Sequence, residues 1–177
     1  MGPGRRRALG LHFVPEERLG RGAVPTLSLA QNTLLTRTRA VGRGGWLRIG
    51  DVKALAESLI RRFNVKAGGP GSAAKSLSGG NLQKFLVGRE VMQDPAVLVI
   101  SQPTWGVDAG ASLAIHEAVL ALAQAGAAVV IISQDLDEIF VLADRIAVLA
   151  GGRMSEPVPA RSATAESIGR LMGGAAA

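Results

Sequence analysis

The sequence predicts an α/β fold in which a parallel sheet is flanked by helices. Three observations lead there. Beyond residue 94, apolar runs alternate with helical patterns: strand 97–101, helix 112–125, strand 128–133, helix 135–143 and strand 146–149. That succession builds parallel sheets, because parallel neighbours need a crossover and the crossover is usually a helix. Second, Leu77-Ser78-Gly79-Gly80-Asn81 stands just ahead of a helical segment over 82–93. Paired glycines let backbone approach a phosphate closely, and the free N–H groups and dipole of a helix N-terminus favour an anion. Third, the apolar strand 97–101 runs into the polar turn Gln102-Pro103-Thr104, and open α/β sheets bind ligands at such carboxyl ends.

The earlier elements follow in order. Residues 1–10 read as a disordered leader. Leu11-His12-Phe13-Val14 is a short strand stopped by Pro15, and Glu16-Glu17-Arg18 follows it. A loop over 20–25 leads to a short helix over 28–36, then a Gly/Arg-rich irregular stretch over 37–50. Residues 51–63 form an amphipathic helix with Val52, Leu55, Leu59 and Phe63 at helical spacing. Residues 66–75 are a Gly/Pro loop. Beyond Glu156 the chain is an Ala/Ser/Pro-rich flexible tail, with one candidate helix over 165–172.

Composition narrows the functional classes. The chain has 177 residues, 47% of them apolar and only 3% aromatic, so its core is aliphatic and its length suits one domain. It has no cysteine, which removes disulfides and thiolate metal sites. His12 and His116 have no partners at ligand spacing and read as structural. Residues 118–134 are uncharged for 17 positions, yet Gln124 and Gly126 divide them into a helix and a strand rather than a membrane span. Residues 1–62 carry 12 basic and 4 acidic side chains, a net +8, and residues 63–177 carry 8 and 10, a net −2. Sixteen of the 20 basic residues are arginine. Without aromatic interleaving this asymmetry reads as a solvated face, not a nucleic-acid surface.

These motifs resemble the ATP-binding subunits of ABC transporters over residues 13–152. Residues 77–81 are similar to the signature motif, 97–102 to the Walker B strand, Gly106-Val107-Asp108 to the D-loop, and Ser133-Gln134-Asp135 to the segment carrying the switch histidine. The FVPEER segment, the LSGGN-LQK run and QPT-W-GVD-A-GA most resemble the C-terminal part of the second, degenerate half of tandem ATPases in sugar and nucleoside importers. The fold this implies is an incomplete P-loop NTPase. A phosphate loop has the form G-x-x-x-x-G-K-[ST], and the chain holds no Gly-Lys pair; its lysines are Lys53, Lys66, Lys75 and Lys84. The Walker A strand and the antiparallel subdomain are expected to be missing. The implied domain covers 11–155, with a mostly helical signature subdomain over 28–93 and a core over 94–152. A sheet short of a strand exposes an apolar edge, so the isolated chain is expected to be poorly soluble or partly molten.

The resemblance assigns roles residue by residue. Ser78, Gly79, Gly80, Asn81 and Gln83 would contact the phosphates of ATP held by another domain, and Asp108 would lie at the interface. Hydrolysing relatives end the Walker B strand with Asp-Glu, where this chain has Ser101-Gln102, and Gln134 stands at the switch histidine. Serine brings no charge to Mg²⁺, and glutamine cannot accept a proton, a loss worth about 10²–10⁴ in rate. No catalytic or metal-ligating residue is expected in this chain, and ATP with Mg²⁺ would bind only in a composite site. Asp135, Asp137 and Glu138 read as helix capping. Glu16, Glu17 and Arg18 fall in the Q-loop region, which in the family meets the membrane subunit. The expected function is therefore a truncated ATP-binding component of an importer of a small solute, a sugar or nucleoside. It would be inactive alone, cytoplasmic, peripheral at the inner face of the plasma membrane, and partnered by a Walker-A-bearing half and permease subunits. Alternatives are a non-enzymatic docking module or a non-functional gene remnant.

Overall fold

In the computed structural model, which describes residues 1–37, 42–43 and 46–173, the chain forms two compact units, residues 1–132 and 133–177. The break falls after the last strand of the three-stranded sheet.

The first unit contains a three-stranded parallel sheet in the order β1 (Leu11–Val14), β4 (Val97–Ser101), β5 (Ala128–Ile132). Register pairs Leu11 with Val97 and runs on to Val14 with Ile100, and Val97 with Ala128 to Ser101 with Ile132. Because side chains alternate, His12, Val14, Leu98 and Ile100 share one face, and all four are buried. α4 (Gly79–Val91) and α5 (Ala109–Gln124) cover that face, contributing Phe85, Leu86, Ile115, Val119 and Leu122 to the core. The other face carries Phe13, Val97, Val99, Ser101, Val130 and Ile132. It is left largely bare, with Phe13 45%, Val130 49% and Ile132 51% exposed. Parallel sheets are ordinarily covered on both sides. This face is open apolar surface.

α4 is buried over its whole circumference from Leu82 to Val91, which hides it from amphipathic pattern reading. It starts three residues earlier than the sequence predicts, since both glycines belong to its first turn. α3 (Ile49–Arg62) lays Val52, Ala56 and Leu59 inward. α2 (Leu29–Leu34) is held by a capping box in which Ser28 and Gln31 bond reciprocally. α5 ends before Gly126, whose φ of +97° suits the residue after a helix C-cap. Between α2 and α3, β2 (Gly42–Arg43) and β3 (Trp46–Leu47) make a small antiparallel ribbon; the rest of the Gly/Arg-rich stretch, 38–41 and 44–45, lies outside the described residues.

Residues 1–10 are not a disordered leader. Pro3–Ala8 form α1, opened by a proline suited to the first turn, and Arg7 Nη1 reaches Glu90 Oε2 at 3.6 Å. Glu90 is fully buried. His12 Nδ1 lies 2.8 Å from its Oε2, and Arg89 Nε lies 2.8 Å from Oε1. Burial alone would push the Glu90 carboxyl up. The His12 hydrogen bond, the Arg89 charge and bonds from Thr36 and Arg89 outweigh it and hold the carboxyl below its ordinary value.

The second unit holds α6 (Leu136–Leu142), two short antiparallel pairs and α7 (Ala165–Met172). β6 (Arg145–Ile146) pairs with β9 (Val158–Pro159), and β7 (Leu149–Ala150) with β8 (Arg153–Met154). The segment 146–149 is therefore not a further parallel strand. The tail is not wholly flexible. Thr164 and Ser167 form a capping box for α7, and its Ile168 is 2% exposed in a core with Ile146 and Val148; residues 174–177 lie outside the described residues.

Three expectations follow. The bare sheet face should bind 1-anilinonaphthalene-8-sulfonate with several-fold fluorescence enhancement. Val130→Lys should lower that signal with far-UV circular dichroism unchanged, and a cooperative melt with no dye binding would refute the exposed face. Gly88→Ala would ordinarily gain about 1 kcal/mol of helix propensity, but a Cβ there meets the Phe63 ring at 2.6 Å. Overpacking costs about 1–3 kcal/mol, so the variant should be net destabilised in urea titration. Glu90's lowered folded value means its stabilisation is complete above the unfolded carboxyl value of about 4.3 and is lost as pH falls through the lower folded one. Glu90→Gln should cost about 3 kcal/mol at pH 7 by leaving Arg89 uncompensated and should flatten the acid limb of a stability–pH curve.

Candidate nucleotide-facing site

The glycine end of α4 is built by its neighbours. Ser78 occupies the N-cap with extended backbone, yet its hydroxyl does not cap the helix. Instead Asn81 Nδ2 donates to Ser78 Oγ at 2.9 Å, while Asn81 Oδ1 accepts from the Lys66 N–H at 2.8 Å. The Ser78 hydroxyl thereby keeps its own hydrogen to donate. The first intrahelical bond runs from the Leu82 N–H to the Ser78 carbonyl, so the N–H groups of Gly79, Gly80 and Asn81 precede the helical ladder.

Both glycines lie close to neighbouring side chains. A Cβ on Gly79 would sit 2.9 Å from Arg18 Nη1, and one on Gly80 would sit 3.3 Å from Asp108 Oδ2. Asp108 N-caps α5, its Oδ1 accepting from the Ala111 N–H at 2.9 Å. That backbone bond, first among several, holds its carboxyl below the ordinary value.

Gln83 is placed differently from a phosphate contact. It is 1% exposed, its Oε1 accepts from Arg18 Nε at 3.0 Å, and its Nε2 donates to the Pro103 carbonyl at 2.9 Å. Both ends of the amide are spent inside the fold. Arg18 likewise turns inward: its Nη2 also donates to the Trp105 carbonyl, and burial lowers its guanidinium from the ordinary value. Glu16 and Glu17 stay exposed, with Glu17 paired to Arg21 at 2.9 Å.

Gly79, Ser101, Trp105 and residues 15–19 line one open cavity of about 910 Å³. Ser101 is half-buried at the end of β4, and Gln102 is 8% exposed with φ +50°, a left-handed conformation uncommon outside glycine. The Gln102 N–H is held by the Ile132 carbonyl at 2.7 Å. Trp105 is 66% exposed in the following turn. In the second unit Gln134 is exposed, and Asp135 caps α6 through bonds from the Asp137 and Glu138 N–H groups. Among the described residues no cluster of three or more His, Asp or Glu could hold a metal. His12 is spent in the buried pair with Glu90, which sequence reading missed because the two lie 78 positions apart.

No protein-family model matches the chain. A ribose import ATP-binding protein of Rhizobium meliloti is 38% identical over 165 residues, 93% of this chain and 32% of that protein. Over the residues it spans, the chain belongs to the ABC transporter ATP-binding family. A glucose import ATP-binding protein of Haloferax volcanii is 41% identical over 169 residues, 93% of this chain and 31% of that protein. The chain spans about a third of the length of these relatives. Among solved structures, an ATP-binding subunit of an ABC transporter superposes with a TM-score of 0.73 at 19% identity, covering 97% of this chain and 71% of that one. A dimeric bacterial ABC transporter cassette gives 0.70 at 20% identity over 89% of this chain and 66% of that one. These structural matches establish the fold, an α/β ABC cassette present in part.

Proposed function

We propose that this chain lends its signature end to a composite ATP site, as an ATP-binding component of an importer of a sugar or nucleoside. One observation carries the reading: the N-terminus of α4 is pared to glycine on two sides by Arg18 and Asp108, with the Ser78 hydroxyl held ready to donate.

In this site Ser78 Oγ and the N–H groups of Gly79, Gly80 and Asn81 hold the terminal phosphate of ATP bound to a partner half. Asp108, kept ionised by its backbone bonds, helps order the interface beside Gly80. Gln83 acts behind them, as a brace rather than a contact. Ser101 and Gln102 supply neither Mg²⁺ support nor a base, so Mg²⁺ and the hydrolytic groups come from the partner and the chain alone does not turn over ATP. The exposed Glu16 and Glu17 are the part of the Q-loop turn available to a permease subunit. On this reading the protein works in the cytoplasm at the inner face of the membrane; no helix among the described residues is long and apolar enough to cross it.

Mixing the chain with a Walker-A-bearing half from a sugar-importer relative should produce ATPase activity that neither shows alone. Ser78→Arg should lower it at least about 100-fold, the scale of losing a positioned phosphate donor. Activity indifferent to Ser78→Arg but lost in the Glu16→Gln/Glu17→Gln variant would favour a docking module instead.

A further inference from the structure

We propose that Arg18 is a positioning residue whose single guanidinium ties the turn at 15–18, the glycine end of α4 and the turn after β4 into one rigid body, fixing the attitude of Ser78. Its place in the triplet Glu16-Glu17-Arg18 gives it the look of a surface charge. The geometry gives it another task. Its hydrogen-bond partners are neutral oxygens 65 and 87 positions away, Gln83 Oε1 and the Trp105 carbonyl. The neighbouring carboxylate of Glu17 is engaged by Arg21.

The bonds close a ring. Arg18 donates to Gln83, Gln83 donates to the Pro103 carbonyl, and Arg18 donates to the Trp105 carbonyl two residues further along the same turn. Two carbonyls of the post-β4 turn are thus held by one pair of side chains. Nη1 packs on Gly79, where a Cβ would lie 2.9 Å away. A planar fork of fixed donors reaches both acceptors beside that glycine; a lysine ammonium has the charge without the span. The order bought by immobilising a long side chain lies in the segment next to Ser78.

The catalytic consequence rests on the composite-site reading. There, misplacing Ser78 by about 1 Å costs rate rather than nucleotide affinity, because ATP itself sits on the partner. The test uses the full chain with Arg18→Lys and Arg18→Gln. Hydrogen–deuterium exchange should quicken about tenfold or more in both 78–83 and 103–107, with α3 and the body of α5 unchanged. In a Trp46→Phe background, the emission of Trp105 should shift with either substitution. Loosening confined to 15–22, uniform loosening across the first unit, or an Arg18→Lys variant that exchanges like the parent would each overturn the proposal. If Arg18→Gln fails to fold, Arg18→Lys decides alone. Paired with the Walker-A-bearing half, Arg18→Lys should lower kcat about tenfold or more with KM for ATP within about twofold; a raised KM at unchanged kcat counts against it. An unsubstituted chain that yields no activity with the partner defeats the composite-site reading, while the exchange experiment still judges Arg18.

Discussion

Much of the first unit depends on burying α4 on every side. A helix with no solvent face must satisfy each polar side chain it carries, because an unpaired buried group is costly. That requirement explains the polar contacts that otherwise look scattered. Glu90 takes bonds from His12 and Arg89, Gln83 is bonded at both ends, and Lys84 Nζ donates to the Asn64 carbonyl at 2.5 Å. Apart from Arg89, which lies on α4 itself, the partners sit on other elements, so satisfying one helix aligns β1, the loop after α3 and the turn after β4. Gly88, packed against the Phe63 ring, sets how near α3 can come.

The site inherits its geometry from this arrangement. Its exposed groups, Ser78, Gly79 and Asp108, are few, and each has a buried or half-buried residue behind it. Asn81 orients Ser78, Arg18 packs on Gly79, and the Ala111 N–H fixes Asp108. Such a second layer is what holds binding groups to small tolerances. At the end of β4, Gln102 has a left-handed backbone at the head of a turn, and neither it nor Ser101 brings a charge.

The local features were legible in the residues. β1 was bounded by Pro15 and β4 and β5 by their apolar runs, the helix over 165–172 was placed at its observed bounds, and α4 was placed by its motif although its start was read three residues late. Long-range partnership was not. The inward turn of Arg18 depends on oxygens 65 and 87 positions away, and its charged neighbours point the reader toward solvent. α1 was missed because Gly-Pro-Gly-Arg composition reads as a leader, while its ordering comes from Arg7 meeting the buried Glu90. The antiparallel pairing of β6 and β9 was hidden because two-residue strands carry too little periodicity to declare direction.

The bare sheet face has a meaning for the life of the protein in its host. Surfaces bearing Phe13, Val130 and Ile132 side by side are what chaperones and proteases read as unfinished folding. An apolar face left open in the folded state thus exposes the polypeptide to association and degradation even when its helices and strands are fully formed.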